Sequence, residues 1–177
     1  LSALKYNDSY YGMPFASEFK SFVYNKEMLA EAGYSEPPKT WADFIEVSQT
    51  LQEKGLVKYA SAWSWVQTEA IICDFVAIAA SMGGSITNSE DINSEANVKA
   101  LQLMVDMLHE YKIVDPASIE YNETNVSDAM KAGDIAFEMS WGFPLVQLND
   151  ESKSKVVGQA ASALLPYDVK PAAVAGP

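Results

Sequence analysis

The chain has 177 residues, of which 49% are hydrophobic and 11% aromatic, so it is long and apolar enough for one well-cored domain or two small ones and is not disordered. Its formal net charge of -12, with only 12 Lys and Arg, argues against a nucleic-acid partner and against docking on anionic lipid. A single cysteine, Cys73, excludes an internal disulfide and a Cys-based zinc site, and no apolar run approaches the roughly 20 residues of a membrane span.

The predicted elements alternate between strands and helices along the chain. After a turn-rich stretch over residues 1–18, they are a strand at 21–24, helices at 26–32 and 41–54, a strand at 58–63, helices at 69–82, 95–111 and 127–132, a strand at 135–139, a helix at 144–149 and a strand at 156–161. This alternation predicts an α/β fold, without internal repeats.

Capping signals predict where several helices begin. Asn25 is expected to cap the first helix, and Thr40 followed by Asp43 three residues later has the pattern of a capping box. Trp41 then opens the apolar stripe of the second helix, so we expect it in the core. Ser127 is expected to open the short helix that precedes the strand at 135–139.

Trp141 is the most informative residue of the chain. It follows the predicted strand at 135–139 and stands beside Gly142. Ligands of open α/β sheets bind outside the carboxyl ends of strands, and a flat aromatic side chain there, next to a glycine, can serve as a platform for a sugar ring. The alternative is an indole packed under a loop, since most Trp side chains are largely buried.

Several segments, in this order, resemble one family. They are Tyr24-Asn25-Lys26-Glu27-Met28-Leu29, Pro37-Pro38-Lys39-Thr40-Trp41-Ala42-Asp43-Phe44, Gly83-Gly84, the helix start at 94–101, Ala129-Met130-Lys131-Ala132-Gly133 and Leu164-Leu165-Pro166. The chain from about residue 10 onward is similar to the extracellular solute-binding proteins of ABC sugar importers, of the maltose-binding type. Glu138 departs from the family pattern, which has small or apolar residues at that point.

The resemblance implies a fold, a location and partners. The fold would be an α/β lobe of the type II periplasmic-binding-protein kind, with a mixed central sheet flanked by helices. Residues 1–18 would form the hinge region and 19–177 the second lobe, and the first lobe and the closing C-terminal helices would be absent from this chain. The parent would be a periplasmic or extracellular bacterial protein, free or lipid-anchored, that delivers a small carbohydrate to ABC permease subunits.

Under this resemblance, the candidate ligand contacts lie at or just after predicted strand ends, or at the hinge. A sugar ring has a C–H face and a rim of hydroxyls, so its site needs aromatic faces and planar polar groups. The candidate ligand-binding residues are Trp141, Trp65, Trp63, Gln67, Glu69, Gly142 and Tyr11. The alternative for each Trp is packing beneath a loop, and for Gln67 and Glu69 it is a solvated first helical turn.

Catalysis and metal binding have little support in the sequence. His109 is the one histidine, and neither Gly-x-Ser-x-Gly nor Gly-x-Gly-x-x-Gly occurs. Asp134 and Glu138, if both lay on one strand face, would be about 13 Å apart, which is too far for a glycosidase pair. We therefore expect no catalytic residue, metal or cofactor. The alternatives are the same scaffold binding a polyamine, iron or a peptide-like solute, a sensor subunit, and, with least support, a carbohydrate-active enzyme.

Overall fold

A computed structural model describes residues 4–13, 19–142 and 144–171 of the chain. A short hairpin comes first, and a three-stranded sheet with its helices follows. The elements are β1 (Lys5–Tyr6), β2 (Ser9–Tyr10), β3 (Lys20–Asn25), α1 (Lys26–Ala32), α2 (Trp41–Glu53), α3 (Glu69–Ser81), α4 (Glu95–His109), α5 (Glu123–Ala132), β4 (Phe137–Trp141), α6 (Pro144–Leu148) and β5 (Ala160–Ala163). None of the helices within these ranges combines the length and apolarity needed to cross a bilayer.

The main sheet has the strand order β4-β3-β5, with antiparallel pairing throughout. Ser61 extends it beyond β4 through parallel bridges to Phe137 and Val114, which makes the extended sheet mixed as predicted. The predicted strand at 58–63 was too long, because only Ser61 makes bridge contacts there. In the β3–β4 register Lys20 lies opposite Trp141, so both stand at the same end of the sheet.

Helices pack on both faces of this sheet because side chains alternate along β3. Phe22 belongs to a core that includes Phe44 of α2 and Ile78 of α3. Its neighbour Val23 faces the opposite way, into a second core with Met130 of α5 and Leu148 of α6. The period-two alternation therefore divides one buried strand between two hydrophobic clusters. The result is the predicted α/β lobe, with helices on either side of a central sheet.

The caps predicted for the first two helices are present. The Asn25 side chain accepts hydrogen bonds from the backbone N–H groups of Glu27 and Met28, and Thr40 forms a reciprocal capping box with Asp43. Trp41 is buried in the core, as expected. These caps could be read from the sequence because each one joins residues only two or three positions apart.

The predicted start of α5 at Ser127 was wrong. The helix begins at Glu123, because Asn122 accepts the backbone N–H groups of Thr124 and Asn125 while the Asn125 side chain accepts the N–H of Asn122. This capping box uses amide side chains at both ends, whereas the usual signal is a hydroxyl residue followed by an acid. Ser127 lies inside the helix.

The last two strands also begin later than predicted. β4 covers Phe137–Trp141 instead of 135–139, since its register with β3 runs from Phe137, opposite Tyr24, to Trp141, opposite Lys20. β5 covers Ala160–Ala163 instead of 156–161. The shift in β4 matters for the site, because it makes Trp141 the last residue of the strand.

Candidate functional site

Trp141 lies at the carboxyl end of β4, where the chain leaves the sheet. Its side chain is partly buried, and its indole N–H donates to Oε1 of Glu123 at 3.4 Å. Gly142 follows with a φ of +67°, and apart from its two chain neighbours no atom of the described residues lies within 4 Å of the place that a Cβ would take. The left-handed backbone favours glycine at this turn, and the space beside it leaves room for another molecule to approach.

One face of the Trp141 ring lies over a cation. Nζ of Lys20 is 5.1 Å from the ring centroid, within the range of a cation–π contact. Sequence reasoning missed Lys20. The sequence feature that could have identified it is a lysine at the start of an apolar strand, because a charged side chain buried there needs a partner.

That partner is Asp74 of α3. Lys20 Nζ donates to Asp74 Oδ1, both side chains are 0% exposed, and Ser64 Oγ donates to Asp74 Oδ2 at 3.3 Å. Desolvation raises the pKa of Asp74 to about 6, against the opposing attraction of Lys20. An ammonium and a carboxylate without access to water are held in place, since separating them would leave each charge buried and alone.

Trp63 and Trp65 do not present ring faces to the outside, so their packing agrees with the alternative, core residues, and does not support a ligand contact. Trp63 is 1% exposed, its indole N–H donates to Ser61 Oγ, and Phe44 packs against it edge-on. Trp65 is 5% exposed and stacks on Trp63 with ring centroids 5.8 Å apart. The chain at 62–65 runs through the core instead of leaving it, which the sequence did not reveal. The Trp65 indole N–H has no hydrogen-bond partner among the described residues.

Gln67 and Glu69 are exposed where α3 begins. Glu69 lies in the first turn of that helix, and its Oε1 accepts a hydrogen bond from Cys73 Sγ at 3.1 Å. The structure therefore leaves both side chains accessible, in agreement with a solvated helical turn as well as with a polar rim around a ligand. Their role as ligand contacts stays a prediction.

Tyr11 lies just after the β1–β2 hairpin and is 74% exposed. Its ring packs edge-on against Tyr6 with centroids 6.3 Å apart, and its backbone N–H donates to the carbonyl of Leu4. These contacts define its position within the first described segment. Its proposed place at the hinge stays a prediction.

A cavity of about 430 Å³ adjoins the same end of the sheet. It is lined by the first residues of β3 including Lys20, by Met139 of β4, by Ala77 of α3 and by residues 162–165 at the end of β5. Most of these groups are apolar, with hydroxyls from Ser21 and Ser162. Such a lining can accept the apolar face of a small solute while a few polar groups orient it.

Glu138 does not form a carboxylate pair with Asp134. Asp134 precedes β4 and is exposed, whereas Glu138 lies within the strand, 1% exposed, with no hydrogen-bond partner for either carboxylate oxygen among the described residues. Burial raises the pKa of Glu138 to about 7, against a weaker attraction by Lys131. The departure from the family pattern at this position is thus a buried acid.

The chain matches known proteins over almost all of its length. Residues 1–175 match the family model of the bacterial extracellular solute-binding proteins. A probable ABC transporter-binding protein of Deinococcus radiodurans is 27% identical over 172 residues, covering 93% of this chain and 41% of that protein. A probable amino-acid ABC transporter periplasmic-binding protein of Sinorhizobium fredii is 26% identical over 156 residues, covering 85% of this chain and 35% of that protein.

Among solved structures, the maltose-bound MalE3 protein of T. maritima has the same fold. The TM-score is 0.89 with 23% identity, over 98% of this chain and 45% of that one. The chain thus spans less than half the length of these relatives, and the similarity confirms the predicted periplasmic-binding-protein-like lobe. Because the family match extends over nearly every residue, this chain belongs to the bacterial extracellular solute-binding proteins.

Proposed function

We propose that this chain is the second lobe of a two-lobed receptor that captures a sugar or oligosaccharide for an ABC importer. The observation that carries the proposal is Trp141, an indole at the end of β4 that is held from one side by Lys20 and followed by an open turn at Gly142. Its outward face would stack on the C–H face of a sugar ring. The first lobe would supply the opposite wall of the cleft, and closure would follow the ligand's preference for the closed state.

A neutral, hydroxyl-rich ligand agrees best with the charges at this end of the sheet. Lys20, the cation that lies against the Trp141 ring, has a fully buried side chain and is neutralised by Asp74. It therefore offers no accessible positive charge to the carboxylate of an amino acid. Gln67 and Glu69 are exposed and can exchange hydrogen bonds with hydroxyl groups.

A second candidate is an amino-acid ligand, favoured by the printed description of the Sinorhizobium fredii relative. Such a ligand needs fixed partners for both an ammonium and a carboxylate, and the exposed polar candidates of this lobe, Gln67 and Glu69, include no cation for the carboxylate. An iron ligand has less support, because no group of three His, Cys, Asp or Glu side chains comes together as a metal site in the described part of the chain.

The proposed location is outside the cytoplasmic membrane, in the periplasm or on the cell surface, with the permease as the protein partner. This follows the family description as extracellular proteins of bacteria. We propose a free or lipid-anchored receptor on this basis.

An NMR titration of the chain tests the proposal. The indole N–H signal of Trp141, assigned with Trp141→Phe, is followed while maltose, maltotriose, amino acids and spermidine are added separately. We expect a shift with the sugars at millimolar concentrations, since half of the contacts would come from the other lobe, and no shift with the other solutes. Trp63→Phe is the matched control, because that indole is in the core and its replacement should leave the sugar response intact.

Three outcomes would contradict the proposal. If no sugar moves the Trp141 signal up to its solubility limit, this indole is not a sugar platform. If an amino acid or spermidine moves it and the sugars do not, the second class of ligand is the right one. Submillimolar affinity for a sugar would show that the site is complete within this lobe, which would contradict the shared cleft.

A further inference from the structure

The described residues contain one buried ion pair, and it lies directly behind the platform. Lys20 of β3 and Asp74 of α3 are 54 positions apart in sequence and have no exposed side-chain surface. A pair of this kind is a weak source of stability, because the desolvation of both charges offsets most of their attraction. The position of the pair beside Trp141 therefore indicates a role other than stability.

The pair is connected to Trp141 by a short chain of contacts. Ser64 donates to Asp74, Asp74 accepts from Lys20, and the Lys20 ammonium lies 5.1 Å from the Trp141 ring centroid. The β3–β4 register, which places Lys20 opposite Trp141, sets the two side chains side by side at the strand ends. The ammonium cannot easily move away, since it would then leave Asp74 and itself as separate buried charges.

Trp141 needs such an anchor. It is the last residue of β4, and the turn that follows has no side chain at Gly142 to pack against the ring. The hydrogen bond from its indole N–H to Glu123 is long at 3.4 Å. An indole fixed by that bond alone would retain rotational freedom, and a ligand would have to immobilise it on binding.

We propose that Lys20 is a positioning residue, whose ammonium, fixed by Asp74, holds the Trp141 indole in the orientation that receives the ligand. This rests on the proposed function, because it assigns Trp141 as the platform. Lys20 itself does not touch the ligand. It acts by reducing the conformational freedom that the indole would otherwise lose on binding.

The test needs a variant without the cation that still folds. Lys20→Met alone leaves Asp74 buried without its partner and is expected to unfold the chain at least partly. The double variant Lys20→Met/Asp74→Asn removes both charges and keeps an acceptor for Ser64. Ser81→Ala is the matched control, since it removes a buried hydrogen bond that involves neither Lys20 nor Trp141 and so reports the effect of lost stability alone.

Two measurements are made on each variant. The first is the heteronuclear NOE of the Trp141 indole ¹⁵N without ligand, which reports how rigidly the ring is held. The second is the Kd for maltose from the NMR titration. In the double variant we expect the indole to become more mobile and the maltose Kd to rise about fivefold, as the loss of one cation–π anchor predicts. Ser81→Ala should change neither.

An unchanged indole NOE and an unchanged Kd in the folded double variant would overturn the proposal, since the pair would then be structural only. Equal changes in Ser81→Ala would overturn it as well, because they would trace to lost stability. If maltose fails to bind the unmodified chain, the sugar function fails at that step, while the indole NOE still decides whether Lys20 positions Trp141.

Discussion

The indole N–H of Trp41 donates a 2.9 Å hydrogen bond to Oγ of Ser81, joining the first turn of α2 to the last residue of α3. Both residues are buried, and Ser81 Oγ in turn donates to the carbonyl of Ile78. The backbone carbonyl of Ser81 also accepts the N–H of Val169. One serine thus connects two helices and the segment that follows β5.

Replacing Ser81 with Ala should destabilise the chain. The change leaves the Trp41 indole N–H buried without an acceptor, which costs about 1–3 kcal/mol. Urea unfolding followed by circular dichroism measures the difference. Ser89→Ala, at an exposed serine, is the control and should change the free energy of unfolding by less than about 0.5 kcal/mol. Equal stability of the two variants would mean that the Trp41–Ser81 bond contributes nothing.

Glu138 should make the stability depend on pH. Burial raises its pKa from the ordinary 4.5 to about 7, so the folded chain retains this proton where the unfolded chain has released it. The contribution of Glu138 to the free energy of unfolding is therefore full below pH 4.5 and falls by about 3 kcal/mol as the pH rises to 7, with no further change above.

The measurement for Glu138 compares urea unfolding of the unmodified chain with that of Glu138→Gln at pH 5 and pH 8. The amide does not titrate, so from pH 5 to pH 8 the stability of the variant relative to the unmodified chain should rise by about 2–3 kcal/mol. Glu120→Gln, at an exposed acid, should show no such gain. A constant difference for Glu138→Gln would mean that this carboxyl titrates as it does in water.

Gly84 lies against Asn97, which should make a side chain there costly. A Cβ at Gly84 would come within 2.1 Å of Asn97 Oδ1 and 3.0 Å of the carbonyl of Ala79. Asn97 cannot easily yield, since its Nδ2 donates to the carbonyls of Ser85 and Asp91. Gly84→Ala should therefore cost about 1–3 kcal/mol in free energy of unfolding, through overpacking.

A double-mutant cycle isolates the Gly84–Asn97 contact. In an Asn97→Ala background the Oδ1 atom is gone, so Gly84→Ala should cost at least about 1 kcal/mol less than in the unmodified chain. The same cost in both backgrounds would show that the Asn97 side chain moves aside freely.

The start of α5 can be checked with two alanine substitutions. Asn122→Ala removes the cap and should destabilise the chain by about 1 kcal/mol. Ser127→Ala, inside the helix, should be neutral or slightly stabilising, because Ala is the better helix former. Thermal unfolding of both variants measures the difference. A reversed order would place the helix start at Ser127, as the sequence first suggested.

Prediction from sequence worked where the interaction is local. The caps at Asn25 and Thr40 involve partners two or three residues away, so a short segment of the sequence includes both partners of each hydrogen bond. The prediction failed at Asn122 because its amide–amide capping box is an uncommon version of the same pattern. It failed for the ends of β4, since strand bounds depend on which residues the neighbouring strand offers for pairing.

The three tryptophans at strand ends show most clearly where prediction from the sequence fails. Trp63, Trp65 and Trp141 all follow or end short apolar runs, and although Gly142 marks Trp141, nothing local shows that the other two are buried. Their exposure differs because Phe44, from a helix some twenty positions earlier, covers Trp63, while Trp141 emerges at the sheet's end beside Gly142. Burial is a property of the neighbours in space, and those neighbours come from distant parts of the chain.

The sequence by itself determined the α/β class, the positions of most helices and the family. These signals, which are hydrophobic periodicity, helix caps and ordered motifs, depend on residues that are close together in the chain. The sequence also singled out Trp141. Only the tertiary structure decided that Trp63 and Trp65 are core residues, that Glu138 is a buried acid, and that Lys20 meets Asp74 behind the Trp141 ring. Those relationships arise from strand register and helix packing, which bring together residues with no local relation in the chain.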